Sequence, residues 1–357
     1  MRKLILHIGL HKTGTTAIQK HLISVENRLN QQGWYLFRER KDGKQSNVGN
    51  INTWDEFVGS GENFLAVVDN GLYDALEKTS GNIIASCEEM SWLNDKQIKR
   101  LEQRLSETFS DIKIICYVRR QDEHFISHYK QGFRYPHSSA RMFYSFSDPL
   151  TPLWQNYYRN YLDYFKKAES WALSFGARNV IFKEFNRAKL HDGNSAVDFL
   201  KVLGFSDEES CSSVERSGVN EALNIHHCII NHAVFETRSE LWYELGGQSF
   251  TRQLQLKHVV ENNEASFNEI KVEIKKQFVQ SNLLLKKYIP DLSEDWLEVE
   301  GGISHNFPKI KHNQSALYKE SLISLLSYFD ELSLLDFLKF KLRKIRNQNG
   351  IKKIRKR

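Results

Sequence analysis

No stretch of this sequence approaches the roughly 18 consecutive apolar residues a membrane-spanning helix needs, so an integral span is excluded from the reading. The start, Met1-Arg2-Lys3 followed by apolar residues, imitates a secretory leader only briefly, because His7, His11 and Lys12 interrupt it. Cysteine is scarce: the four thiols, Cys87, Cys116, Cys211 and Cys228, form no Cys-x-x-Cys pair. That excludes a zinc knuckle by pattern and argues for free thiols in a reducing compartment, the cytoplasm. Proline is scarcer still in proportion, and three of the five fall together at Pro136, Pro149 and Pro152. The segment 133–155 around them is expected to be an irregular surface excursion.

One further absence locates the charge. Residues 339–357 contain ten Lys or Arg and no acid, leaving 40 basic against 44 acidic residues elsewhere, so the net charge of +6 belongs to the tail and the body is slightly acidic. A nucleic-acid binder is disfavoured by that distribution. The tail reads either as a solvated end or, because Leu334, Leu335, Leu338, Leu342 and Ile345 alternate with its cations, as a peripheral contact to the inner face of an anionic membrane.

What is present is an alternation of apolar runs and helical periods. Leu4–Ile8, Trp34–Phe37, Asn82–Ser86, Ile112–Val118 and Asn179–Lys183 read as strands, with helices after Gly14, over 95–109, 121–132, 156–175 and 195–203. Apolar strands alternating with helices point to an α/β fold: a parallel sheet flanked by helices, with a mainly helical C-terminal portion. The expected organisation is a core over 1–220 with 133–155 as an acceptor lid, a helical portion over 221–338 and the basic tail.

The first strand runs into Gly9-Leu-His-Lys-Thr-Gly14 and then a helix. A G-x-x-x-x-G frame in that position curls the backbone so that N–H groups and a helix N-terminus converge on an anion. A plain strand-to-helix turn with a solvated lysine would carry the same two glycines. In nucleotide kinases, however, the lysine follows the second glycine; here Thr15 stands there and Lys12 lies inside the loop. The segment His11-Lys-Thr-Gly-Thr-Thr16 resembles the 5′-phosphosulfate loop of the sulfotransferase family, in the version common among bacterial members.

That resemblance covers about 1–205 and implies a cofactor, 3′-phosphoadenosine-5′-phosphosulfate, used without a metal. It implies that Lys12 binds the oxygen bridging phosphate and sulfate, with His11, Thr13, Gly14, Thr15 and Thr16 around the 5′-phosphate. It further implies that Arg119, closing the strand at 112–118, and Ser127, eight residues on, hold the 3′-phosphate, with Arg120 the alternative to Arg119. Arg216, in Arg216-Ser-Gly-Val-Asn220, matches a family loop against the same phosphate.

The base that takes the acceptor's proton is expected at Glu88, after the strand at 82–86, in a segment similar to Ser-Ser-Glu of bacterial relatives. Glu89, Glu39 and His11 stand as alternatives. The family implies transfer to a hydroxyl or amine of a carbohydrate or glycolipid. The other class of reading, a small-molecule kinase using ATP–Mg²⁺, would need a cation directly after Gly14 and a strand-end Asp for the metal. The stripe Tyr157, Tyr161, Tyr164, Ala168 and Trp171 recurs at helical spacing and reads as core rather than as an acceptor platform.

Overall fold

A computed structural model describes residues 2–59, 65–134, 156–205, 225–237, 239–247, 267–298 and isolated positions among 223–339. Five strands form one parallel sheet: β1 (Lys3–His7), β2 (Trp34–Phe37), β5 (Asn82–Ser86), β6 (Asp111–Val118) and β7 (Val180–Glu184), in the order β2-β5-β1-β6-β7. A separate antiparallel pair, β3 (Asp55–Val58) and β4 (Leu65–Val68), lies between β2 and β5 in the chain. The sheet carries the α/β class expected from sequence. Its register sets Leu4, Ile5, Leu6 and His7 against Ile83, Ile84, Ala85 and Ser86 on one side. Ile112 to Ile115 flank the same four on the other.

Both sheet faces are buried, which explains why the strands show no alternation. Ile5, Leu36, Ile84, Ile115 and Tyr117 pack with Ile18 and Leu22 of α1 (Thr15–Ser24) and with Phe199 and Leu200 of α8 (Ser195–Val202). Leu4, Leu6, Ile83, Ile114 and Cys116, between them in sequence, are equally buried. On that face α7 (Tyr164–Phe175) packs against β6 and β7, with α4 (Asp95–Ser106) beside it.

The helix expected over 156–175 is two helices, α6 (Asn156–Leu162) and α7, because Asp163 accepts the Lys166 N–H and caps a new start. Two short helices, α2 (Glu26–Gln31) and α3 (Gly71–Lys78), fill the connections before β2 and before β5.

The described chain forms two compact units. The first gathers 1–124, 155–219 and 274–303; the second gathers 125–154, 220–273 and 304–357. Thus α5 (Gln121–Gly132) and α11 (Asn268–Leu285) each run through both, and 274–303, expected within a helical C-terminal portion, belongs to the first. Within the second unit α9 (Ile225–Thr237) and α10 (Ser239–Leu245) build a small core from Ile230, Val234, Phe235, Trp242 and Leu245. No helix among the described residues is long and apolar enough to cross a membrane. The lid segment 135–155 and, except Lys339, the basic tail lie outside the described residues.

One carboxylate ties 286–298 to the sheet edge. Glu184, at the end of β7, accepts from Lys189 Nζ at 2.8 Å, Ser293 N at 3.0 Å, Ser293 Oγ at 2.7 Å and Trp296 Nε1 at 3.0 Å. Burial pushes its carboxyl upward, but Lys189, Ser293 and Trp296 outweigh it and hold the pKa below the usual value. A folded-state pKa lowered in this way contributes stability that is present above the unfolded value near 4.5 and lost as pH falls. Glu184→Ala is expected to destabilise the first unit by about 2 kcal/mol. Urea unfolding at pH 7 and at pH 3.5 measures this, and the difference from the parent protein should shrink at the lower pH.

Candidate active site

The strand order reverses at β1: the chain goes out to β2 at the edge and returns through β5 beside β1, then crosses to β6 and β7 on the other side. Crevices at the carboxyl ends of strands open at such a switch point. The loop after β1 lies there. Ladder hydrogen bonds continue into it, Ile8 N to Ile115 O and Leu10 N to Tyr117 O at 2.9 Å each, with Gly9 O accepting from Tyr117 N at 2.7 Å. The backbone then turns sharply, with positive φ at Gly9 (94°), Lys12 (64°) and Gly14 (80°).

Close approach as well as torsion demands the glycines. A Cβ on Gly9 would lie 2.9 Å from Glu88 Cβ, and one on Gly14 would meet Ser195 and, at 3.0 Å, Phe185. Lys12 has no such dispensation, since a non-glycine residue at positive φ is strained by roughly 1 kcal/mol or more. The α1 helix that follows has no side-chain cap and no acid in its first turn. Its leading N–H groups and the positive end of its dipole therefore have no side-chain cap or first-turn acid of their own, a setting that favours an anion. Thr13 is buried and donates to Leu10 O at 2.6 Å, which pins the turn from inside, while Thr16 is exposed.

A 3₁₀ turn, Glu88–Trp92, follows β5 directly beside this loop. Glu88 accepts from Gln19 Nε2 at 2.7 Å on one oxygen and from Thr15 Oγ1 at 3.2 Å on the other. Gln19 also reaches Ser86 Oγ at 3.1 Å, and Ser86 contacts His7 Nδ1 at 2.9 Å. Burial drives the His7 pKa down to about 3, so it is a neutral core imidazole.

Glu89 pairs with His11 Nε2 at 3.2 Å. Burial works against a charged His11, yet Glu89 and Glu88 outweigh burial and Lys12 and raise its pKa. Asp55, from the β3–β4 hairpin, completes the acidic group. Desolvation, opposed by a thiol hydrogen bond from Cys87 and reinforced by Glu89 and Glu88, raises its pKa to about 7.

The cationic side converges on His124, at the start of α5. Its Nδ1 meets Tyr164 Oη at 2.7 Å, and its pKa is driven far below the usual value, first by burial and then by the positive charges of His11, Arg119, Lys167 and Lys12. Lys12 from the β1 loop and Arg119 from the end of β6 therefore act on one buried point. Arg119 donates to Glu123 Oε2 at 3.0 Å. Arg120 is taken up differently, bidentate to the buried Asp122 at 2.7 and 3.0 Å and bonded to Asp295 as well.

The first unit thus brings together His11, Lys12, Thr13, Gly14, Thr15, Thr16, Glu88, Glu89 and Arg119. Glu39 lies beyond β2 at the sheet's outer edge, in a bridge with Gln45, its carbonyl accepting from Trp54 Nε1 at 2.7 Å. Among the described residues no contact joins it to the loop. Ser127, on α5, belongs to the second unit, and Arg216 lies outside the described residues.

Sequence reasoning missed Asp55, His124 and Lys167. Lys167 alone carried a signal, a cation on the otherwise buried stripe of α7. Among the described residues no cluster of three or more His, Cys, Asp or Glu is arranged to hold a metal.

The fold and the loop together define a doubly wound α/β protein with a glycine-bounded turn at its switch point. No family model matches the chain. An uncharacterized protein of Archaeoglobus fulgidus is 29% identical over 128 residues, 36% of this chain. The match spans about a third of that relative, 32% of its length. Among solved structures, a sulfotransferase from Alicyclobacillus acidocaldarius aligns with TM-score 0.36 and 15% identity, over 67% of this chain and 95% of the other.

The contact at Gly9 gives the site its mutational signature. Gly9→Ala is expected to lose about 2–4 kcal/mol by combining torsional strain with the Glu88 overlap. Gly33→Ala is the matched control. It carries a positive φ of 79° but has nothing within 4 Å of its Cβ, so it should lose only about 1–2 kcal/mol in the same urea titration.

Proposed function

We propose that this protein is a sulfotransferase that moves the sulfuryl group of 3′-phosphoadenosine-5′-phosphosulfate to a hydroxyl or amine of a carbohydrate or glycolipid acceptor. The observation that carries the reading is the placement of Lys12 in the turn directly after β1 and of Arg119 directly after the adjacent parallel strand β6. Two cationic turns of one sheet suit a ligand that bears an anion on each side of its ribose. The loop residues fit the phosphosulfate end: curled backbone, uncapped helix start and a lysine held within the turn. The aromatic segment 133–155 supports a ring-shaped acceptor by composition.

The chemistry follows from where charge develops. The acceptor oxygen or nitrogen attacks sulfur, the bond from sulfur to the bridging phosphate oxygen breaks, and 3′,5′-adenosine bisphosphate leaves. Negative charge grows on that bridging oxygen, so the Lys12 ammonium stabilises the transition state more than the ground state. Arg119 holds the 3′-phosphate with a planar fork suited to phosphate oxygens, while Arg120 is spent on Asp122. The family resemblance assigns Ser127 and Arg216 to the same phosphate.

The proton of the acceptor passes to Glu88. Gln19 and Thr15 orient that carboxylate, and with one donor on each oxygen it keeps a lone pair on each for the incoming proton. His11, paired with Glu89, holds its own proton and adds positive charge beside Lys12.

Titration calorimetry with 3′,5′-adenosine bisphosphate and with ATP–Mg²⁺ tests the donor. The bisphosphate should bind and ATP–Mg²⁺ should not; tight binding of ATP–Mg²⁺ alone would overturn the proposal. Lys12→Ala should lower transfer by roughly 100-fold or more with bisphosphate affinity changed far less. Arg119→Ala should instead weaken the bisphosphate by roughly 10- to 100-fold. Small, equal effects of both substitutions would count against the assignment.

A further inference from the structure

Lys167 is a lysine in an unusual place. It stands on α7 between Tyr164, Ala168 and Trp171, all fully buried, and among the described residues it forms no ion pair. Its Nζ donates to the backbone carbonyl of Ser91 and lies 4.6 Å from the centre of the Tyr161 ring. Burial lowers its pKa to about 8, opposed by the Cys116 thiol and Asp163. A cation kept here without a carboxylate partner is a cost to folding, and an apolar side chain of similar length would remove it.

What that cation holds is the turn carrying the site's two carboxylates. Ser91 Oγ donates to Glu88 O at 2.7 Å and lies 3.1 Å from Tyr161 Oη. Tyr161 stacks on Trp92, ring centres 3.4 Å apart and planes 8° from parallel, and its hydroxyl accepts from the His11 backbone N–H. Trp92 in turn lies 6.4 Å from the His11 ring. The contacts of Lys167 thus run through Ser91 and Tyr161 to both ends of the His11–Glu89 pair.

We infer that Lys167 is a positioning residue of the active site: its hydrogen bond to Ser91 O fixes the Glu88–Trp92 turn against the phosphate loop, so that Glu89 meets His11 and Glu88 meets the acceptor. The inference rests on the sulfotransferase reading for the consequence in catalysis, but its geometric content does not. Lys167 touches no reacting atom. It acts through the carbonyl it holds.

The sign of one measurement separates positioning from simple charge. His11 is faced by Glu89 and Glu88, which raise its pKa, and by Lys12 and the buried His124. If the turn stayed in place, removing the positive charge of Lys167 could only raise the His11 pKa further. If the turn loosens, Glu89 draws away and the pKa falls toward or below its ordinary value of 6.5.

The experiment is an NMR titration of ring-labelled histidine in full-length protein carrying Lys167→Met or Lys167→Gln. In Lys167→Met, whose Tm should be unchanged or raised, the His11 pKa is expected to fall by about half a unit or more. Lys167→Gln, which keeps a donor for Ser91 O without the charge, should retain the raised value. With the sulfuryl donor, Lys167→Met should lose roughly 10- to 100-fold in kcat and keep the donor KM within about threefold. If Lys167→Met does not fold, Tyr161→Phe takes its place, and the same fall in the His11 pKa is expected from the lost hydroxyl. A His11 pKa that stays or rises in the folded variant overturns the positioning role, whether or not the parent protein transfers sulfate. A parent protein inactive with the donor, beside a fallen His11 pKa, overturns the sulfotransferase reading and leaves the positioning role standing.

Discussion

The close approach between the loop after β1 and the turn after β5 is the constraint on which the site depends. Because β1 is hydrogen-bonded on both sides, to β5 and to β6, its last residues cannot shift without breaking two ladders. The chain must then reverse within Ile8–Gly14 while Glu88 presses on Gly9 and Ser195 presses on Gly14. Positive φ at three positions is the solution, and one of the three is lysine. Lys12, the non-glycine residue among the three, carries the strain. It places a cation where the backbone N–H groups already converge, and strain of that kind concentrates where a ligand is to be held.

The sheet and its loop were legible because they depend on local patterns. Apolar runs such as Ile112–Val118 have one reading when both faces are covered, and Gly9 to Gly14 carries its torsions in its glycines. The failures fall where the determining contact is remote. The β3–β4 pair consists of two four-residue strands whose pairing, Asp55 with Val68 through Val58 with Leu65, no short-range periodicity announces. Asp55 was consequently invisible as a partner of Cys87 and neighbour of Glu89. The break at Asp163 is a cap in the middle of a continuous aromatic stripe, so periodicity carried the reading across it. Arg119 and Arg120 are adjacent and chemically alike. Only Asp122, buried and two residues along, separates their tasks.

Electrostatics gives the site a layered character. Asp55, Glu88 and Glu89 act on one another, and His11, Lys12, Arg119 and Lys167 act on the neutral His124, with the His11–Glu89 pair joining the two sets. Burial first, and like charges after it, disfavour ionisation: the Asp55 carboxyl is pushed up toward neutrality and the His124 pKa is driven far down. Each keeps a hydrogen bond, His124 with Tyr164 and Asp55 with Cys87. Their retention in a buried setting fits a site that must hold a multiply charged anion beside groups that exchange a proton.

The same logic explains why the acids do not collapse onto the cations when no ligand is bound. Each charge is committed before a ligand arrives. Glu88 is held by Gln19 and Thr15, Glu89 by His11, Arg120 by Asp122, and Lys167 by a backbone carbonyl rather than by a carboxylate. A lysine tied to Ser91 O leaves both carboxylates of the turn to their other partners, whereas one paired with Glu88 or Glu89 would neutralise it. Preorganisation of this kind lets charge developing in a transition state meet groups that need not move, and so avoids the reorganisation that solvent would require. The folding cost of a cation with no carboxylate partner among the described residues and the availability of the turn's carboxylates are two sides of one arrangement.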